Sequence, residues 1–137
     1  GTVDAIVTDH APHATYEKDR EFELAPFGMT GIETSLGLML THMVGEGVIG
    51  WDRLIELMAV NPRAILCDER VAIEPGCVAD LTVINPDAAW TVSKEDFCSK
   101  AQNTPFIGWN LRGRATDVYV GGYATMEDGQ VISTVKH

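Results

Sequence analysis

Asp9, His10 and His13 place three ionisable side chains within five positions, directly after the apolar run Ala5, Ile6 and Val7. A carboxylate and two imidazoles at that density can bind metal, move protons or hold an anion. Pro12 has no amide hydrogen to donate and biases Ala11 toward extended backbone, so the polar residues fall where a short strand opens into a loop. Strand alternation puts Ala5, Val7 and Asp9 on one face and Ile6 and Thr8 on the other. In a parallel α/β barrel such a face is the interior, and a carboxylate at the strand's C-terminal end points into the mouth of the site. Buried there it needs a strong partner, for which a cation is the natural candidate. The spacing equally suits an Asp9 that caps the turn through His10 and Ala11, with His10 packed and His13 solvated. One aspartate and two histidines do not by themselves complete a zinc site.

The rest of the chain must position these groups. Its 137 residues are 45% hydrophobic, enough for a packed core and too apolar for disorder. No apolar run approaches the roughly 20 residues of a membrane span and no basic-then-apolar leader opens the chain, so the expectation is a soluble, cytoplasmic protein. Ten Lys and Arg against twenty Asp and Glu give a net charge of -10, which repels nucleic acid and anionic membrane surfaces alike. Cys67, Cys77 and Cys98 are odd in number and lack paired zinc spacing, which reads as ordinary thiols of a reducing compartment.

After the opening strand, "ATYEKDREFELAPFGMTG" is a polar connection long enough to cover a site. Thr30 and Glu33 have the spacing of a capping box, ahead of a helix with Ile32, Leu36, Met39, Leu40, Met43 and Val44 at helical intervals. His42 among them reads as packed or solvated rather than as a ligand. "GEGVIG" stops this helix, Asp52 is positioned to cap a second through Val60, and Asn61 with Pro62 predicts the cap and first turn of a short third. From about residue 71 the pattern becomes "VAIEPG", "ADLTVINP", "ATDVYV", "YATM" and "QVISTV", punctuated by Gly121 with Gly122 and Asp128 with Gly129. These runs predict a small antiparallel sheet joined by tight turns. "NTPFIGWNLRGR" reads as a long loop, its Arg112 and Arg114 a solvated or structural pair rather than an anion site.

"TDHAPH", "EK", "APFGMTGIETSLGLMLTH", "EPGCVADLTVINPD", "WTV" and "NTPFIGWNLRGR" together resemble the carboxy-terminal part of a dihydroorotase of the bacterial zinc-dependent class, in the amidohydrolase superfamily. The resemblance runs through nearly the whole chain, with one local departure at "NPRAIL". It implies an α/β fold: residues 1–66 as the last strand and C-terminal helices of a (β/α)8 metal-dependent hydrolase barrel, and residues 67–137 as part of a small β-sandwich. It further implies that Asp9 is a zinc ligand and the proton-transferring carboxylate, that His13 contacts the substrate's carboxylate, and that Phe27 and Gly28 hold the ring. His10 receives no role. The implied reaction is the reversible hydrolysis of dihydroorotate to N-carbamoyl-L-aspartate in pyrimidine synthesis.

The resemblance implies a binuclear zinc centre with a His-x-His and further ligands that this sequence lacks, and a barrel takes about 250 residues. The chain therefore reads as a fragment that needs the missing N-terminal portion of the same protein and is inactive alone. A homodimer or a contact with aspartate transcarbamoylase is compatible with the resemblance. The competing expectation is a non-catalytic dihydroorotase-like chain that serves as a structural or assembly partner, for example of aspartate transcarbamoylase.

Overall fold

The computed structural model describes residues 2–67 and 72–132. Its elements run in order from helices to a sheet. A single turn, α1 (Thr15–Lys18), sits in the long polar connection and is followed by α2 (Ile32–Leu38), which continues as a π-helical stretch over Met39–Val44. Next comes α3 (Trp51–Ile55), a second π stretch over Glu56–Val60 and α4 (Asn61–Ile65). Strands β1 (Leu81–Thr91), β2 (Asn110–Val120), β3 (Tyr123–Glu127) and β4 (Gln130–Val131) form one sheet in the order β1-β2-β3-β4, every pair antiparallel.

The sheet follows from its turns. Gly121 and Gly122 (φ 59° and 82°) and Asp128 and Gly129 (φ 48° and 75°) supply the positive φ pair that a tight hairpin needs to match the strands' twist. Strand β2 is longer than "ATDVYV" implies, because it starts at Asn110 and takes in Arg112 and Arg114. Both arginines therefore belong to a strand rather than a loop. Arg114 pairs with Asp96, and its guanidinium lies 3.9 Å from the centre of the Trp90 ring. Of "VAIEPG", Val71 lies outside the described residues and the remainder forms turns, since Pro75 and Gly76 interrupt any ladder. Of "QVISTV" only Gln130 and Val131 pair; the last three of those residues lie outside the described part.

The helices start differently from the capping expectations. The residue preceding α2 is Gly31, without any side-chain cap of its own, while the Thr30 hydroxyl is buried without a partner and Glu33 turns toward Ser99. Gly50, not Asp52, precedes α3. Asn61 lies inside a continuous helix and donates its amide to the Asp4 carbonyl instead of capping. Pro62 is tolerated because the preceding stretch is wound in the wider π pattern: the Asn61 N–H reaches back five residues to the Glu56 carbonyl, and the missing proline N–H breaks no regular ladder.

Helix and sheet meet through small residues. A Cβ on Gly37 would lie 2.9 Å from the Trp90 ring and 3.2 Å from Leu111, so a glycine there lets α2 lie directly on the sheet. Leu40 and Leu111 are buried at this contact and Leu54 and Leu57 are buried on the second helix. Few side chains are so enclosed. The chain exposes 9926 Å², whereas a compact 14.9 kDa protein is expected to expose about 7,000 Å². The opening strand is part of that difference. Residues 2–9 form no regular strand, Val7 is 79% exposed, and Ile6 is tied only by its N–H to the Leu57 carbonyl at 2.9 Å. A parallel strand is stable only between neighbours, and the described residues supply none. Among the described residues no helix is long and apolar enough to cross a membrane. The three cysteines are free and exposed.

Candidate active site

Where the backbone leaves residue 8, Asp9 takes a positive φ of 41°. That is left-handed geometry, which aspartate tolerates better than most residues. The turn breaks the strand's alternation, so Asp9 does not continue the face of Ala5 and Val7; its side chain is exposed and has no hydrogen bond or ion pair among the described residues. The chain then runs beside the segment around Met29. A parallel bridge joins His10 to Met29, and the Ala11 N–H donates to the Met29 carbonyl at 2.9 Å.

This bridge brings three of the four sequence-nominated residues together. His13 Nε2 lies 2.8 Å from the Phe27 carbonyl. Since a carbonyl only accepts, Nε2 carries the proton, leaving Nδ1 on the side of Glu17, 3.9 Å from its carboxylate. Gly28 has φ 108°, and a Cβ there would stand 2.5 Å from the Ala11 Cβ and 3.4 Å from His13 Nε2. Only glycine fits both the conformation and the space. The Phe27 ring is 92% exposed, which leaves its backbone as the part held in the structure. Asp9 bonds to none of the three.

Side chains to which the sequence assigns no role hold this arrangement. Lys18 Nζ donates to the carbonyls of Pro26 (2.8 Å) and Gly28 (3.1 Å), which fixes the "APFG" turn from below α1. His10 does what Thr30 was expected to do. Its Nδ1 accepts the N–H groups of Gly31 (3.1 Å) and Ile32 (3.3 Å), occupying donors that the first turn of α2 leaves without helical partners. Nε2 must then carry the proton, and it donates to Ser99 Oγ at 3.1 Å, which donates in turn to Glu33 at 2.5 Å. Burial raises the Glu33 pKa, but the hydrogen bonds from Ser99 and its own backbone outweigh that and hold it below the ordinary value. From the far end of the sequence, Asn103 contacts both the Ala11 to His13 run and Gly28. An open cleft of about 530 Å³ separates residues 12–15 from residues 99–101. His42 stays apart, with Nδ1 3.1 Å from Glu46 and its ring edge-on to Trp109.

The only clue to these supporting residues in the sequence is the length of the connection over residues 14–31, which has too few apolar positions to pack itself. Partners 75 to 92 residues away leave no local pattern. Among the described residues no group of three or more His, Cys, Asp or Glu is arranged to hold a metal ion.

No family model matches the chain. It is 51% identical over 119 residues to the dihydroorotase of Chlorobaculum tepidum, covering 87% of this chain and 27% of that protein. It is 51% identical over 122 residues to the dihydroorotase of Geobacter metallireducens, covering 89% and 28%, and 45% identical over 128 residues to that of Pelotomaculum thermopropionicum, covering 93% and 30%. Among solved structures, an L-hydantoinase (dihydropyrimidinase) from Arthrobacter aurescens superposes with a TM-score of 0.89 at 29% identity over 97% of this chain and 31% of that one. A D-hydantoinase (dihydropyrimidinase) from Thermus sp. gives 0.85 at 27%, over 96% and 30%. The chain spans less than a third of the length of the curated relatives it matches. Its helices and four-stranded sheet have the fold of the corresponding part of those hydantoinases, and with 45 to 51% identity to the dihydroorotases over most of its length the chain belongs to the dihydroorotase family as a carboxy-terminal segment.

Proposed function

We propose that this chain is the substrate-side portion of a zinc-dependent dihydroorotase, acting on dihydroorotate and N-carbamoyl-L-aspartate once joined to the remainder of the protein. The observation that carries the reading is the paired cradle: the Asp9 to His13 run bridged to the segment Phe27 to Met29, with His13 Nε2 on the Phe27 carbonyl and Gly28 pressed against Ala11. Residues 1–66 would then complete the barrel, and residues 67–137 would contribute to the β-sandwich. Asp9 fits a ligand position, because its exposed carboxylate is bound to nothing else among the described residues. The other ligands of a binuclear centre would come from the part of the protein outside this match. Zinc, when bound, supplies a Lewis acid that activates water and polarises the ring carbonyl.

The chain's own residues divide the remaining work. Asp9 accepts a proton from the attacking water and passes it to the departing ring nitrogen, so one carboxylate serves as base and then as acid. His13 carries a proton on Nε2 and donates a hydrogen bond through it to the Phe27 carbonyl. A substrate carboxylate is a stronger acceptor than a neutral carbonyl, so the same N–H exchanges Phe27 for substrate on binding. The Phe27 carbonyl is thereby freed to contact the ring, while the Gly28 carbonyl stays held by Lys18 and Asn103. This division explains why an exposed aromatic stands beside a position with room only for glycine: Phe27 contributes main chain, and Gly28 contributes room.

The relatives at 43 to 51% identity are dihydroorotases, so the reading as a non-catalytic assembly partner is not favoured. The two solved structures compared above are hydantoinases, whose substrates supply the useful contrast. Purified full-length protein, loaded with zinc, should interconvert dihydroorotate and N-carbamoyl-L-aspartate and should turn over hydantoin, which lacks the carboxylate, at least a hundredfold less efficiently. Equal efficiency on both would overturn the assignment.

A further inference from the structure

We infer that Asn103, on the loop leading from the sheet domain back to β2, is a positioning residue that sets the distance between the two halves of the substrate cradle. Its side chain uses every hydrogen-bonding position it directs at the loops. Oδ1 accepts the backbone N–H of His13 at 3.0 Å, while Nδ2 donates to the Ala11 carbonyl at 3.1 Å and to the Gly28 carbonyl at 3.3 Å. Its own carbonyl accepts the Thr30 N–H at 3.1 Å, so the residue is pinned from a fourth direction. One planar amide therefore bridges the run that carries His13 and the run that carries Gly28.

Apart from the His13 imidazole, no other described side chain hydrogen-bonds across the two runs. Lys18 ties only the "APFG" side, through Pro26 and Gly28, and His10 ties only the start of α2. The His13 imidazole does cross between the runs, through Phe27, but that bond is the one the substrate must displace. When it is given up, Asn103 remains as the side chain that keeps His13 opposite Gly28. It has the chemistry for this role, because a single residue must both accept from an amide N–H and donate to two carbonyls, and only a carboxamide does so without charge. It is half-buried and its side-chain amide is spent on these backbone groups, so it acts through His13 and Gly28.

The inference rests on the assignment of His13 to the substrate's carboxylate, and the test separates the two. In the full-length zinc-loaded enzyme, KM and kcat for dihydroorotate are measured for Asn103→Ala, Asn103→Asp, His13→Ala and the Asn103→Ala/His13→Ala double variant, with Gln102→Ala as the neighbouring control. Asn103→Ala should raise KM about tenfold with kcat within a factor of about two and zinc content unchanged, since positioning errors in a binding group fall on affinity. Asn103→Asp, which keeps the acceptor and sets a carboxylate against two carbonyls, should be at least as impaired although it matches asparagine in size. The double variant should lose little beyond His13→Ala alone, because a residue that acts through another has nothing left to position. Gln102→Ala should leave KM unchanged. A normal KM in either folded Asn103 variant overturns the inference, as does a double variant whose loss is the product of the single losses. A normal KM in His13→Ala accompanied by a raised KM in Asn103→Ala instead overturns the role of His13 and leaves Asn103 acting through Gly28.

Discussion

The sheet and the cradle are stitched by opposite means. Strands β1 to β4 are joined by backbone ladders between neighbours in sequence, turned by two glycine-containing hairpins. The cradle over residues 9–31 has one isolated bridge and depends largely on side chains, His10, His13, Lys18 and Asn103, bonding to backbone that is 8 to 92 residues distant. A ladder spreads its free energy over many equivalent bonds of about 1 kcal/mol each, so single substitutions erode it gradually. The cradle concentrates its geometry in a few atoms. Substitutions there should alter catalysis with little change in overall stability, and substitutions in the sheet should do the reverse.

The largest expected effect belongs to Asp9. In the full-length enzyme Asp9→Asn keeps the size of the side chain and, at φ 41°, is as well suited as aspartate to left-handed backbone. It removes both the anionic ligand and the proton carrier. Turnover should fall by about 10³-fold or more, as expected for loss of a general acid–base that is also a ligand, while the melting temperature of the zinc-free protein stays unchanged. Turnover within tenfold of the parent, with zinc bound, would remove Asp9 from the chemistry.

Gly28→Ala comes next and tests the cradle's tolerance directly. The methyl group would sit 2.5 Å from the Ala11 Cβ, on a backbone with φ 108°. Either the two runs part or the residue changes conformation, and a displacement of about 1 Å at a binding group can cost on the order of a hundredfold in kcat/KM. Ala11→Gly in the same chain removes the atom that is struck but not the backbone strain. It should therefore recover part of the loss. Full recovery would mean that only the contact matters, and no loss in the single variant would mean that the runs are free to separate.

The same contrast decides what was legible in the sequence. The hairpins at Gly121 with Gly122 and at Asp128 with Gly129 were readable because turn chemistry is local. The apolar period of α2 and its π continuation was readable for the same reason. The cap of α2 was not: Thr30 and Glu33 have the right spacing, but an imidazole from residue 10 takes the position, and Glu33 is drawn to Ser99. Likewise Asn61 and Pro62 suggested a new helix, where a π stretch lets the old one continue. The run Ala5 to Val7 has the composition of a barrel strand, yet strand geometry depends on neighbours that the described residues do not provide. His13, Phe27 and Gly28 came from a motif resemblance and the structure draws them together, whereas the roles of Asn103, Lys18 and His10 were not legible because nothing near them in sequence signals their partners.

The smallest effect expected is on the sheet side, at Asp96, and it should touch stability alone. Burial raises the pKa of this carboxyl, but hydrogen bonds from Arg114 and Ser93 outweigh it and hold the group below its ordinary value. A carboxylate with a folded pKa below its unfolded one stabilises the fold above the unfolded value, about 3.9, and loses that contribution as pH falls through the folded value. Asp96→Asn should therefore cost about 1 to 2 kcal/mol at pH 7, a charge-assisted pair discounted for the partly exposed Arg114. The difference from the parent should shrink as the pH is lowered below about 4. Urea unfolding followed by tryptophan fluorescence is a fitting readout, because Arg114 stacks on Trp90 and the pair reports on this corner of the sheet. Catalysis should be unaffected, since the site's loops take no hydrogen bond from either residue. A difference that persists undiminished at low pH would assign the stability of this corner to packing of Arg114 on Trp90 instead of to the charge of Asp96, and a loss of kcat/KM comparable to that of Gly28→Ala would erase the division between sheet and cradle.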